Sequence, residues 1–140
     1  MPDKFFLDTN VLVSTFDSKS PDKQAVASKL VLTALDGSGS VSWQVVQEFC
    51  NVAIRTFEPK MDSHSLGRYL DDVLFPLCRF FPDRELFKEA LTVSDQTKYS
   101  WYDCLILASA LRLGCRILYS EDFQDAEVIR SLQIINPFRK

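Results

Sequence analysis

Short apolar runs that alternate with longer helical patterns constrain the fold of this chain more than any other feature. The pattern predicts strands at residues 4–8, 40–42, 78–81, 116–120 and 133–136. Between them it predicts helices at residues 10–16, 21–36, 44–57, 63–75, 82–97 and 101–114. Strands joined by one or two helices form right-handed crossovers, so we predict an α/β fold. Its parallel sheet has four to five strands with helices on both faces, and the active site lies beyond their carboxyl ends.

The bulk composition is that of one globular domain with a mildly acidic charge. The 140 residues are 46% hydrophobic and 25% charged, so we expect one domain over residues 1–140 with a substantial core. The net charge of −3 argues against bulk electrostatic binding of nucleic acid. It leaves room for a local basic path beside a metal site.

Few residues are available for zinc binding or nucleophilic catalysis. The cysteines Cys50, Cys78, Cys104 and Cys115 show no C-x-x-C spacing and have apolar neighbours, which is typical of core thiols in a reducing compartment. The single histidine, His64, disfavours zinc and a Ser–His or Cys–His pair. The N-terminus lacks the pattern of a signal peptide, and no apolar run approaches the ~20 residues of a bilayer span. We therefore expect a soluble, cytoplasmic protein with no membrane partner.

Two acids follow apolar strands in closely similar contexts. Asp8 ends the run "FFLD", and Asp122 follows "RILYS" within "SEDF". Capping of the next helix by Asp8 or Asn10 explains the first of these equally well. The alternative is a ligand site, because the carboxyl ends of parallel strands meet at one edge of the sheet.

Two further acids lie on helices with apolar surroundings. Glu48 continues the apolar seam of Val45 and Phe49, where a carboxylate is costly to bury unless it is paired, binds a metal or reaches water at the edge of the seam. Asp103 lies in the strongly apolar helix "WYDCLILASAL", where Ser100 and Asp103 also match a capping pattern. The capping role and a ligand role are compatible, since a first-turn acid points toward the open edge of the sheet.

Crowding these four acids together requires a counter-charge. Two like charges about 4 Å apart repel by roughly 4 kcal/mol at an effective dielectric near 20. Oxygen ligands without histidine or a cysteine motif select Mg²⁺ or Mn²⁺. A magnesium ion keeps several waters and activates water for attack on a phosphodiester.

The sequence resembles the PIN-domain ribonucleases, and more closely the VapC-type toxins of prokaryotic toxin–antitoxin pairs. The resemblance spans essentially the whole chain and is carried by "FLDTNVLV", "SWQVVQEF", "WYDCLILASA" and "LYSEDF", in that order. It implies that Asp8, Glu48, Asp103 and Asp122 hold Mg²⁺ or Mn²⁺ and are the catalytic residues. It implies supporting roles for the small polar residues Thr9, Asn10 and Ser120, and Glu121 is a candidate outer ligand.

The function implied by this resemblance is metal-dependent endonucleolytic cleavage of RNA by the toxin of a type II toxin–antitoxin pair. It also implies a five-stranded parallel sheet, a homodimer and inhibition by a cognate antitoxin protein. For the RNA path, the basic residues nearest in sequence to the acids are Arg55, Lys98, Arg112 and Arg116.

Three other functions are compatible with parts of the pattern. A haloacid-dehalogenase-type phosphatase needs a general acid two residues after its first aspartate, where this chain has Asn10. A receiver-type phosphoacceptor needs an acidic pair at the first strand and a late lysine, which "FFLDTN" and "LYSEDF" do not supply. A non-catalytic PIN-like module that binds RNA or protein would be favoured by loss of one of the four acids, and all four are present.

Overall fold

The protein, described here by a computed structural model over residues 3–139, forms one five-stranded sheet surrounded by helices. The strands are β1 (Phe5–Leu7), β2 (Gly39–Ser40), β3 (Ile117–Tyr119), β4 (Val128–Ile129) and β5 (Leu132–Ile135). Their order across the sheet is β2-β1-β3-β5-β4. All neighbours are parallel except β4 and β5, which pair antiparallel. The predicted α/β class with a mostly parallel sheet is therefore confirmed.

The helices fall close to their predicted positions. They are α1 (Thr9–Ser14), α2 (Pro21–Thr33), α3 (Trp43–Arg55), α4 (Ser63–Tyr69), α5 (Phe75–Leu77), α6 (Arg84–Gln96) and α7 (Trp101–Arg112). Side chains cap several of them: Ser42 accepts from the backbone N–H of Val45 at the start of α3, and Ser100 accepts from Asp103 N–H at the start of α7. The α2 helix ends in a wider turn over Ala34–Ser38, where Gly37 has a φ of 120°.

One strand prediction is wrong, and one strand was not predicted. Residues 78–81 do not form a strand; only Cys78 makes an isolated bridge, to Val41. The Arg79 guanidinium instead donates to the carbonyls of Gly37 and Gly39, each at 3.0 Å, and Pro82 has no N–H to extend a ladder. The sheet gains β4 in its place, which the sequence did not predict because no glycine marks the β4–β5 turn; Arg130 takes the positive φ of 55° there.

The core is built around β1, whose three residues are all buried. Burial of successive strand residues means that both faces of the sheet are covered, because their side chains point to opposite faces. The α7 helix contributes a run of buried residues from Ile106 to Ala110. Among residues 3–139, no helix combines the length and apolarity needed to cross a membrane.

Candidate active site

Asp8 follows β1 directly and is buried at the edge of the sheet where the parallel strands have their carboxyl ends. Its side chain is only 7% exposed. The carboxylate accepts from Thr9 N–H at 2.8 Å and from the Ser120 hydroxyl at 2.8 Å. Asp8 therefore caps α1, as one interpretation of the sequence held, and it also faces the end of β3.

The amide of Asn10 joins the two strand ends. Its Nδ2 donates to Ser120 Oγ at 3.0 Å and to Asp122 Oδ2 at 3.1 Å, with a longer contact of 3.4 Å to Asp8 Oδ2. The Ser120 hydroxyl also accepts from Asp122 N–H at 3.1 Å. One amide and one hydroxyl thus fix the relative positions of the Asp8 and Asp122 carboxylates.

The two helical acids approach from α3 and α7. The Thr9 hydroxyl donates to Glu48 Oε1 at 3.0 Å, which draws this exposed side chain toward the end of β1. Asp103 is half-buried in the first turn of α7, and its charge acts on Glu48. The structure thus links Asp8, Glu48 and Asp122 through hydrogen-bonding neighbours and brings Asp103 within electrostatic reach of Glu48.

Burial and the neighbouring acids raise the pKa values of Asp8 and Glu48. Burial, more than any other cause, raises the pKa of Asp8 to about 6, and the charges of Glu48 and Asp122 add to it against the hydrogen bonds from Ser120 and Thr9. Burial also raises the pKa of Glu48, with smaller contributions from Asp103 and Asp122. No cation of residues 3–139 is among the groups that shift these two pKa values, and none forms an ion pair with Asp8 or Glu48.

The donor chemistry of this edge fits a hard divalent cation. Carboxylate, hydroxyl and amide oxygens are the ligands that Mg²⁺ and Mn²⁺ prefer. Within residues 3–139, however, no three acidic, cysteine or histidine side chains stand close enough to hold one ion together. This spacing suits an ion that retains several waters between itself and the protein, which is the usual behaviour of magnesium.

Glu121 is engaged elsewhere. Both of its carboxylate oxygens accept from the ammonium of Lys23, at 3.1 and 2.8 Å. Lys23 also lies over the ring of Phe138, 4.9 Å from its centroid. The charge of Glu121 is therefore balanced by a lysine, unlike that of Asp8 or Glu48.

A cleft of about 940 Å³ opens beside the acids. It reaches from Thr9, Asn10, Glu48 and Asp122 to the segment after α3, and its lining includes Lys19, Lys23 and Lys60. The residues predicted for a basic path, Arg55, Lys98, Arg112 and Arg116, are not among its lining in the described part of the chain. Lys60 reaches the cleft from the loop between α3 and α4.

Comparison with known proteins identifies the class. The sequence matches the family model described as "PIN domain" over residues 5–129, and the chain belongs to this family. Among curated proteins, none matches significantly.

Solved structures of low sequence identity are similar to this chain, so they establish the fold alone. A toxin–antitoxin complex from Klebsiella pneumoniae superposes with a TM-score of 0.71 at 19% identity, covering 96% of this chain and 98% of that chain. FitAcB from Neisseria gonorrhoeae gives 0.65 at 18% identity, with 97% and 99% covered. VapC20 from Mycobacterium tuberculosis, a sarcin-ricin loop cleaving toxin, gives 0.61 at 17% identity, with 86% and 90% covered.

Proposed function

We propose that this PIN-domain protein is an endoribonuclease that hydrolyses RNA phosphodiesters with Mg²⁺ or Mn²⁺. The observation that carries the proposal is the group of acids at the carboxyl edge of the sheet. Two of them, Glu48 and Asp122, line a large cleft. Within residues 3–139, neither Asp8 nor Glu48 forms an ion pair with a basic side chain. Such uncompensated charge in a cleft is typical of functional sites.

In this proposal Asp8, Glu48, Asp103 and Asp122 would hold the ion and are the catalytic residues. The ion supplies the positive charge that activates water and offsets the charge of the phosphodiester. Asn10 and Ser120 hold Asp8 and Asp122 in place, and Thr9 holds Glu48. Cleavage by water leaves 5′-phosphate and 3′-hydroxyl ends, whereas a 2′,3′-cyclic phosphate would contradict the mechanism.

The proposal extends to a single-domain, cytoplasmic toxin of a type II pair with a cognate antitoxin. The toxin–antitoxin complexes among its structural relatives support this. A homodimer is part of the same proposal. A surface of exposed aromatic side chains supports the homodimer, because large exposed apolar patches mark interaction sites. These side chains are Trp43, Phe81, Phe87, Trp101 and Tyr102. Sedimentation that finds only monomers at micromolar concentration would contradict the dimer.

The decisive experiment expresses the parent chain and the Asp8→Asn variant in a bacterial host and maps the ends of cleaved RNA. We expect growth arrest and metal-dependent cleavage by the parent alone. Asp72→Asn is a matched control, because Asp72 is exposed and lies outside the cleft. Equal growth with all three chains, and no cleavage of RNA by the purified parent with either metal, would instead favour a non-catalytic binding module.

A further inference from the structure

The wall of the cleft opposite the acids carries an exposed aromatic ring. Phe16 lies just after α1, is 41% exposed and lines the same cleft as Glu48 and Asp122. Other large apolar side chains of this protein are also exposed, and Phe16 is distinguished by lining the cleft that Glu48 and Asp122 share. Phe57, from the segment after α3, lines the cleft beside it.

The ring of Phe16 is held by other aromatic rings rather than projecting freely. Its centroid lies 5.2 Å from Phe57, 5.2 Å from Tyr69 and 5.8 Å from Phe49. Phe49 is fully buried, so this aromatic cluster is anchored in the core. A ring fixed in this way loses little conformational freedom when a flat ligand stacks on it.

Lysines line the cleft together with the ring, among acids that include Asp17, Glu58 and Asp62. Lys19 and Lys60 line the cleft and are exposed. The only ion pair of Lys60 in residues 3–139 is a long one with Glu58, 3.8 Å between exposed side chains, which contributes little and leaves the ammonium available. Aromatic faces combined with a cationic groove are the usual means of binding single-stranded nucleic acid.

We propose that Phe16 stacks on a nucleobase of a single-stranded RNA segment, with Lys19 and Lys60 facing its phosphates. This inference rests on the proposed ribonuclease function and adds a base-binding subsite to it. The cleft also has apolar lining at Val52 and Met61, which a protein segment would use. The exposed lysines favour RNA, because a nucleotide uses the ring and the positive charge together.

The test measures stacking directly, in protein that is not expected to cleave its ligand. A short unstructured RNA carrying 2-aminopurine is titrated into the Asp8→Asn protein without metal, and quenching of its fluorescence reports stacking. Adding Phe16→Leu should abolish the quenching and weaken binding by about 5- to 100-fold, since leucine fills space but has no aromatic face. Phe16→Tyr should retain both.

The matched control is Phe75→Leu, because Phe75 is 51% exposed and lies outside the cleft. Thermal unfolding of each variant checks that the aromatic cluster still folds. Unchanged quenching and affinity in a folded Phe16→Leu protein would overturn the subsite, and loss of antitoxin binding by that variant instead would assign the surface to a protein. Because cleavage by the parent is measured separately, a failed subsite with intact metal-dependent cleavage leaves the proposed function standing.

Discussion

Two neighbouring strands each end in an apolar run followed by an acid, but the two acids lie in different environments. Asp8 follows the last residue of β1 and is buried, whereas Asp122 stands three residues beyond the end of β3 and is exposed. Both carboxylates accept from the same Asn10 amide, yet only Asp8 also accepts from the Ser120 hydroxyl. A difference of two residues in the distance from the strand end thus separates a desolvated carboxylate from a solvated one.

This difference teaches that the two acids are suited to different tasks. A buried carboxylate has a fixed geometry and a large cost of ionisation, which a bound cation would relieve. An exposed carboxylate is mobile and well hydrated, and so suits a contact through water. We therefore expect Asp8 to be the more critical ligand and Asp122 to complete the shell.

The largest expected effect is on catalysis by Asp8→Asn. Loss of a ligand charge removes several kcal/mol of transition-state stabilisation, so we expect kcat/KM for RNA cleavage to fall by roughly 10³-fold or more. Asp122→Asn should lower it by only about 10- to 100-fold, the range seen for outer contacts of metal sites. Equal losses in the two variants, measured with Mg²⁺ and Mn²⁺, would remove the proposed distinction.

The next effect is on stability in the absence of metal. The native pKa of Asp8 is about 6 against an ordinary value of 3.8, so the native state binds the proton more tightly than the unfolded state. The contribution of Asp8 to the free energy of unfolding therefore rises as the pH falls through 6 toward 4. Ionisation of Asp8 lowers the free energy of unfolding by about 3 kcal/mol at pH 7 and by roughly half of that at pH 5.

Denaturant unfolding at pH 7 and pH 5 in the presence of a chelator measures how much the ionisation of Asp8 lowers the free energy of unfolding. The gain at pH 5 should be larger in the parent than in Asp8→Asn, where Glu48 but not Asp8 still contributes, and Asp8→Asn should also be the more stable protein at pH 7. Adding Mg²⁺ at pH 7 should raise the melting temperature of the parent alone, because a ligand of the native state stabilises it. Identical pH profiles for the two proteins would show that Asp8 does not carry this cost.

A smaller effect should follow removal of the hydroxyl that the two strand ends share. Ser120→Ala deletes the hydroxyl that donates to Asp8 and that accepts from the Asn10 amide and from Asp122 N–H. We expect cleavage to fall by about 10-fold, with Ser120→Thr retaining more activity than alanine. The control is Ser109→Ala, because Ser109 is also a buried serine but lies on α7. This variant controls for the loss of a buried hydroxyl and should leave activity near that of the parent.

The smallest effect should come from Glu121, the neighbour of Asp122. Its charge is balanced by Lys23, and both side chains are about one-third exposed, so the pair contributes roughly 0–1 kcal/mol to stability. Glu121→Gln should change cleavage by less than about twofold. A loss as large as that of Asp122→Asn, measured in the same assay, would show that Glu121 belongs to the metal shell.

Local sequence patterns were sufficient to predict the elements whose structure depends on residues close together in the sequence. The apolar run before Asp8 became the buried strand β1, and the capping pattern at Ser100 and Asp103 became the start of α7. The mostly parallel sheet followed from the alternation of strands and helices, and the PIN family from the resemblance carried by four ordered motifs; both are confirmed. The four acids as metal ligands stay a prediction, because their chemistry has yet to be measured.

Contacts between distant residues decided the rest. Residues 78–81 have strand-forming side chains, but Arg79 binds the carbonyls near β2 and no ladder forms. Lys23 neutralises Glu121 across 98 positions of sequence, and Asn10 reaches Asp122 across 112. The sequence by itself determined which acids lie at strand ends and helix starts, since those patterns are local. Only the tertiary structure decided which acid is buried, which acid is paired with a lysine, and which lysines line the cleft. Burial and charge balance depend on residues that come into contact only when the chain folds.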